Sequence, residues 1–404
     1  MFLVGLGIGG MITAPLSEIL GRNAIYIPSL ILFMLFDMGA GLSQNVAQRI
    51  AGRFFAGFFG STPVVAAAGT LTDLWSRTER VYAFPIYSTI AFLGPLTGPT
   101  AGGFIVQTPG MTWRWVDWIT IILAAIVLCL VILFLPETYS PLILRWKARQ
   151  LRRLTGNDQY RAPLEIKKVS FLRRMGHGLT RPVLFFVTEP IIMVFTVYLS
   201  VILIVLYTWI AGYVFIYERI YHFNSGQVGM ALLAIEVGML CAAPFVPLAL
   251  RLLRKDIQRC RARGEARPGP EVSLYMGMFG APFIPIALFW IGWTARPSVR
   301  FWSPLAGSTL FGFGVICVFV SSIQYVADSF EFHAASALAA IHMFRFIAAG
   351  VMRVVAKPFY STLGIGWTLT VLGLLATCLV PVPYVLYWYG PKVRGWSRYS
   401  STAG

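Results

Sequence analysis

Ionisable side chains interrupt long apolar runs, among them Asp37, Arg53, Glu236, His342 and Arg345. If such runs cross a membrane, each charge costs at least ~2.5–3.5 kcal/mol on insertion scales and must face a cavity or a partner. Burial favours a neutral carboxyl, whereas a nearby guanidinium favours the carboxylate. An acid beside an arginine can therefore exchange a proton when its surroundings change. Glu236 is the first candidate for that exchange and Asp37 the second, with Arg53 as the positive partner. The plainer readings are polar pairing within a helix bundle and, for Arg53, snorkelling toward a helix end. His342 and Arg345 are one turn apart, which puts both on one helix face, to line a cavity or to form a structural pair. Tyr207, Trp209, Tyr213, Trp290 and Trp293 could build an adaptable hydrophobic wall, although anchoring at a membrane interface explains many such residues.

The elements that must hold these groups follow from composition. Of 404 residues, 57% are hydrophobic and 12% charged, against roughly 25% charged in soluble proteins. Mean hydropathy is +0.72. A single soluble core stops growing near ~250–300 residues, so a bilayer must solvate the remaining apolar surface. A spanning helix needs ~20 mostly apolar residues. Eleven runs qualify: about 1–15, 24–43, 50–73, 82–107, 115–136, 190–217, 227–250, 272–294, 301–327, 334–358 and 363–389, the first being short. Membrane barrel strands would be only ~9–11 residues with alternating polarity, so the runs are helices. The fold class is an all-α polytopic membrane protein.

The net charge of +17 raises the question of a polyanion partner. Residues 137–189 hold 11 Lys/Arg against three acids before Glu189, and 251–271 hold 7 against three. With the N-terminus outside, 24 basic residues fall on the inner side and 5 on the outer. Positive charge gathers on the cytoplasmic side of membrane proteins, so the excess reads as an orientation signal and a lipid contact. A nucleic-acid partner is not expected. The chain divides into a bundle of five spans over 1–136, a basic cytoplasmic linker over 137–189, a six-helix bundle over 190–390 and a cytoplasmic tail over 391–404.

Several motifs have defined spacing. Gly5-Leu-Gly7-Ile-Gly9-Gly10 contains GxGxxG, but no strand or βαβ unit surrounds it, so close helix packing is the better reading. Pro15-Leu-Ser17-Glu18-Ile-Leu-Gly21-Arg22 suits a tight inner hairpin whose charges pair nearby. Arg53 precedes Gly57 and Gly60, which let a neighbouring helix approach. Gly94, Pro95, Gly98, Pro99, Gly102 and Gly103 within one span predict a bent helix with a smooth face.

In this order the motifs resemble the major facilitator superfamily, specifically its fungal twelve-helix drug:proton antiporters. Ser17, Glu18, Gly21 and Arg22 look like that family's inner-loop gating signature, and Arg53 with Gly57 like its fourth-helix arginine motif. Gly94, Gly98, Pro99, Gly102 and Gly103 match its fifth-helix antiporter motif. Trp113-Arg114-Trp115, Pro136-Glu137-Thr138-Tyr139, Thr188-Glu189-Pro190 and Tyr325-Val-Ala-Asp328 resemble further family segments, so the resemblance covers essentially the whole chain. It implies two pseudo-symmetric six-helix halves that rock about a midplane site. The implied activity is proton-coupled export of amphipathic drugs, toxins, secondary metabolites or polyamines. The expected partners are the lipid bilayer, a small organic substrate and protons. A monomer in the plasma membrane is expected, with no cofactor and no metal. The sequence departs from the pattern in lacking the family's first helix, in Asn23 after Arg22, in Asp117 after the WRW segment, and in Asp37 and Glu236.

Neither an ATP-binding GxxxxGK[ST] loop nor a catalytic or metal-ligand constellation is found, so an enzyme is not expected. The five cysteines are odd in number and lack a CxxC, so they read as apolar packing residues. No Lys or Arg precedes Arg22, so the start lacks the basic region of a signal peptide. A truncated, non-transporting membrane protein and a facilitator-type uptake carrier remain alternative readings.

Overall fold

The computed structural model describes residues 1–76, 79–166, 171–262, 269–330 and 334–397. Arg77, Lys167, Lys168, Arg263, Arg267 and Arg398, counted above with the inner side, lie outside the described residues. Among the described residues there is no strand. Before the linker stand α1 (Phe2–Leu20), α2 (Asn23–Gly41), α3 (Val46–Leu74), α4 (Arg80–Gln107) and α5 (Arg114–Phe134). The linker holds α6 (Ser140–Thr155), α7 (Pro163–Ile166) and α8 (Phe171–Thr188). After it come α9 (Pro190–Tyr213), α10 (Ser225–Leu240), α11 (Val246–Ala262), α12 (Tyr275–Gly280), α13 (Phe283–Thr294), α14 (Trp302–Ser329), α15 (Ala334–Leu379) and α16 (Pro381–Gly395).

Among the described residues, ten helical stretches are long and apolar enough to cross a membrane, where the sequence predicts eleven. The difference lies in the last, Ala334–Gly395. It breaks at Gly364, whose φ of 73° is left-handed and favours glycine. The Thr368 hydroxyl donates to the Phe359 carbonyl at 3.3 Å. Nine residues of straight helix span about 13 Å, so the chain turns back here and the stretch holds two crossings. Two other expectations change. The first span is longer than predicted, running to Leu20, and half of the basic 251–271 segment is helical as α11. The linker is structured too: Gly178 of α8 sits against the Pro15 side chain of α1.

Local signals explain several boundaries. The Asn45 side chain accepts from the Gln48 amide at 2.8 Å and starts α3, and Asn224 with Gln227 forms a capping box that starts α10. Gly156 closes α6 in a left-handed conformation. Leu133 and Phe134 at the end of α5 are 73% and 74% exposed, an apolar surface that only lipid can cover.

Helices meet along close seams, both within 1–136 and between that segment and the later helices. On α1, Gly5 and Gly9 lie against the backbone of Phe54 and Phe58 of α3, and Gly7 lies against Met343 of α15. The GxGxxG run is thus a packing face with no room for a Cβ. On the other side α4 meets α10, where Gly103 abuts the Ser225 carbonyl and Gly229 abuts Thr100 Cα.

Candidate functional site

Between these seams lies a cavity of about 1090 Å³, lined by α1 to α5 together with α9, α14 and α15. Its wall on α4 is the Gly/Pro run. Gly94, Gly98, Pro99 and Gly102 line it, and a Cβ at Gly94 or Gly98 would meet open space. Gly103 of the same motif points instead into the α10 seam. The run stays helical despite Pro85, Pro95 and Pro99. Opposite it stand Tyr207 of α9 and His342 and Arg345 of α15. The single-turn spacing does put both α15 residues on the cavity face. Phe92 and Phe319 close one side edge-to-face at 4.9 Å.

At the end of the bundle away from the linker, Arg53 joins the cavity to a buried ionic cluster. Its guanidinium pairs with Asp37 at 3.3 Å and with Asp117. Arg49 approaches Asp117 at 3.5 Å and stacks over Trp113 at 3.7 Å. Both carboxylates are 0% exposed. Asp117 sits in the first turn of α5, where the helix dipole favours an acid. Asp37 and Asp117, two departures from the expected pattern, are therefore the two anions that hold Arg53. The sequence reading missed Asp117 and Arg49 as site residues. The available signal was an acid inside an apolar span, which requires a base somewhere.

At the linker end, the inner-loop signature forms a second cluster. Arg22 donates to the Ser17 hydroxyl at 2.7 Å and to Asp73 at 3.1 Å. Glu137 accepts from the backbone N–H of Arg22 at 2.9 Å and of Asn23 at 3.2 Å. It also accepts from the Tyr139 amide at 2.9 Å, so one carboxylate ties α2 to the start of the linker. Gly21 has φ of 105° and packs on Glu137. Glu18 lies within the field of Arg22 and Arg181. The role of Asp73 was not visible in the sequence.

Other expected site residues lie elsewhere. Glu236 is 7% exposed on α10 and does not line the cavity. No hydrogen bond reaches its Oε1 among the described residues, so it is not brought to Arg53. Tyr213 is not a cavity residue either. It is buried in the core, between Trp209 at 4.8 Å and Tyr217 at 5.1 Å. Trp290 and Trp293 are 43% and 50% exposed on α13, away from the cavity wall. Of the aromatic wall only Tyr207 remains, joined by Tyr87, Phe92, Phe319 and Phe346, which sequence reasoning passed over.

Comparison with known proteins agrees with this architecture. The pattern of the Major Facilitator Superfamily matches residues 1–352. The MFS-type transporter kojT of Aspergillus flavus is 43% identical over 394 residues, covering 98% of this chain and 70% of its own length. The efflux pump radE of Floropilus chiversii is 33% identical, covering 99% of this chain and 73% of its own length. The crystal structure of the human organic anion transporter MFSD10 superposes with a TM-score of 0.63 at 18% identity, over 96% of this chain and 82% of that one, which shows a shared fold. With its two helix sets closed around one cavity, this chain belongs to the major facilitator superfamily, a family of membrane transporters and not of enzymes.

Proposed function

We propose that this chain is a secondary active carrier that exports amphipathic organic compounds in exchange for protons. The observation that carries the reading is the 1090 Å³ cavity, which reaches a buried Arg53–Asp37–Asp117 cluster through Arg53. The cavity has the size and the mostly apolar lining of a site for small organic molecules. In this reading, the segments 1–136 and 190–390 rock as two bodies about the cavity. The 137–189 segment is a cytoplasmic linker and 391–404 a cytoplasmic tail. The Gly94–Gly103 stretch of α4 supplies both a smooth cavity wall and a sliding seam against α10.

Proton coupling then has a simple chemical form. With both aspartates ionised, Arg53 is held away from any ligand. A proton taken by Asp37 removes one of its two ion pairs and leaves the guanidinium less restrained toward the cavity. Protonation of Asp37 thus changes how far Arg53 reaches toward the cavity, and this couples proton binding to substrate binding. Separately, the Ser17–Arg22–Asp73–Glu137 cluster holds the inner end of the first half together when the carrier faces outward. The working unit is a monomer in the plasma membrane. The name of radE, an efflux pump, supports export as the direction.

Vesicles carrying the full chain and loaded with a fluorescent amphiphile test this. Efflux that rises with an imposed proton gradient is expected. Efflux indifferent to the gradient would remove the coupling, and no efflux would remove the carrier.

A further inference from the structure

We propose that the cavity selects organic anions, with Arg345 as the group that binds the acidic end of the substrate. This rests on the carrier reading and narrows its substrate class, excluding polyamines and other cations.

The charge inventory of the cavity is one-sided. Arg53, Arg345 and Arg353 line it, and among the described residues no Asp or Glu does. Arg53 is matched by Asp37 and Asp117, so the uncompensated charge comes from the other two. Arg345 is 4% exposed, and its Nε and Nη1 have no hydrogen-bond partner among the described residues. A buried guanidinium left without an anion is costly, and a ligand carboxylate, sulfonate or enolate would supply the missing acceptor in the fork geometry that arginine offers.

The surroundings fit the rest of such a molecule. The guanidinium lies over the rings of Phe319 at 4.7 Å and Phe346 at 4.8 Å, which fix its plane. Phe92 extends that aromatic wall through its contact with Phe319. Tyr87 and Tyr207 line the same cavity and offer hydroxyls, not carboxylates. His342, one turn away, adds a second nitrogen donor site with an unpartnered Nδ1. The acid end of a ligand therefore meets Arg345, and its ring system meets the aromatic wall. A cationic ligand would find no carboxylate in the lining and would face two arginines.

Two xanthene dyes of opposite net charge separate these cases: sulforhodamine B, an anion, and rhodamine 6G, a cation. Fluorescence anisotropy against the purified full chain in detergent gives affinity, and dye movement in vesicles gives transport. Sulforhodamine B should bind more tightly than rhodamine 6G. Arg345→Gln should weaken it by about tenfold or more, the scale of one charged hydrogen bond, while Arg345→Lys, which keeps the charge and loses the fork, should fall between. Size-exclusion profiles of the two variants show whether each is folded. Benzenesulfonate should displace the dye far more effectively than chloride at matched ionic strength. Equal or tighter binding of rhodamine 6G overturns the anion assignment and leaves the carrier reading standing, as does an Arg345→Gln affinity equal to that of Arg345→Lys. Displacement by chloride as readily as by benzenesulfonate would reassign the site to inorganic ions. Charge-selective binding without dye movement in vesicles would defeat the carrier reading alone.

Discussion

Arg53 illustrates how much of the site a single residue can reveal. An arginine in an apolar run had to have a partner, and Asp37, an acid in another run, was one of two candidates. What the sequence could not say was which acid, because the choice depends on how three helices pack. Asp117 is 64 residues from Arg53 in the chain and touches it in the fold. The same holds for Asp73 and Glu137, which lie far along the chain from the Arg22 they serve. Removing Arg53 leaves buried Asp37 without its ion pair and Asp117 with Arg49 alone, so Arg53→Ala should lower stability by about 3–5 kcal/mol, read from thermal unfolding in detergent. The double variant Arg53→Gln/Asp37→Asn should recover part of that loss, because it deletes one stranded charge together with its partner. The Arg152–Glu165 pair offers a second test. Arg152 donates to Glu165 at 2.7 and 3.0 Å, and these bonds hold the Glu165 carboxyl down at about 2. A depressed carboxylate stabilises above its ordinary titration range and loses that contribution as pH falls toward its folded value. The α6–α7 contact should therefore persist through mild acid and weaken as pH approaches about 2. Glu165→Gln should raise amide hydrogen exchange in α6 at neutral pH, and unchanged exchange would contradict the role.

Helices were legible in type and less so in their faces and breaks. The break between the runs 334–358 and 363–389 was legible, but its exact place, the left-handed Gly364, is shown by the backbone. Tyr207 and Tyr213 look equivalent in sequence. Six residues of α-helix rotate by about 240°, so one reaches the cavity and the other the core. The Gly/Pro run of α4 was recognisable as a special helix, but not as one with two working faces. Those faces make opposite predictions. Gly98→Val adds a side chain to open cavity space, so stability should hold while transport of bulky substrates falls. Gly229→Val drives a side chain into the Thr100 backbone and should cost about 1–3 kcal/mol, with transport lost through the seam. Melting curves and vesicle uptake on both variants check the contrast. Equal stability losses would mean that the α4 faces are misassigned.

The molecule as a whole was legible through composition and the side on which its charges gather. The apolar excess required a bilayer, and two bundles joined by a basic segment followed from the order of the runs. The cavity was not legible, since no local pattern announces where two sets of helices fail to touch. Its position beside Arg53 gives the central claim, that substrate and proton binding are coupled across one ionic cluster. The most direct measurement places the full chain in vesicles with no initial proton gradient and a pH dye inside, then adds an outward amphiphile gradient. Exchange predicts that the lumen acidifies as substrate leaves, because protons enter in return, and that Asp37→Asn abolishes the proton signal. Substrate movement with no change in lumenal pH, or a proton signal that survives intact in Asp37→Asn, would contradict the account.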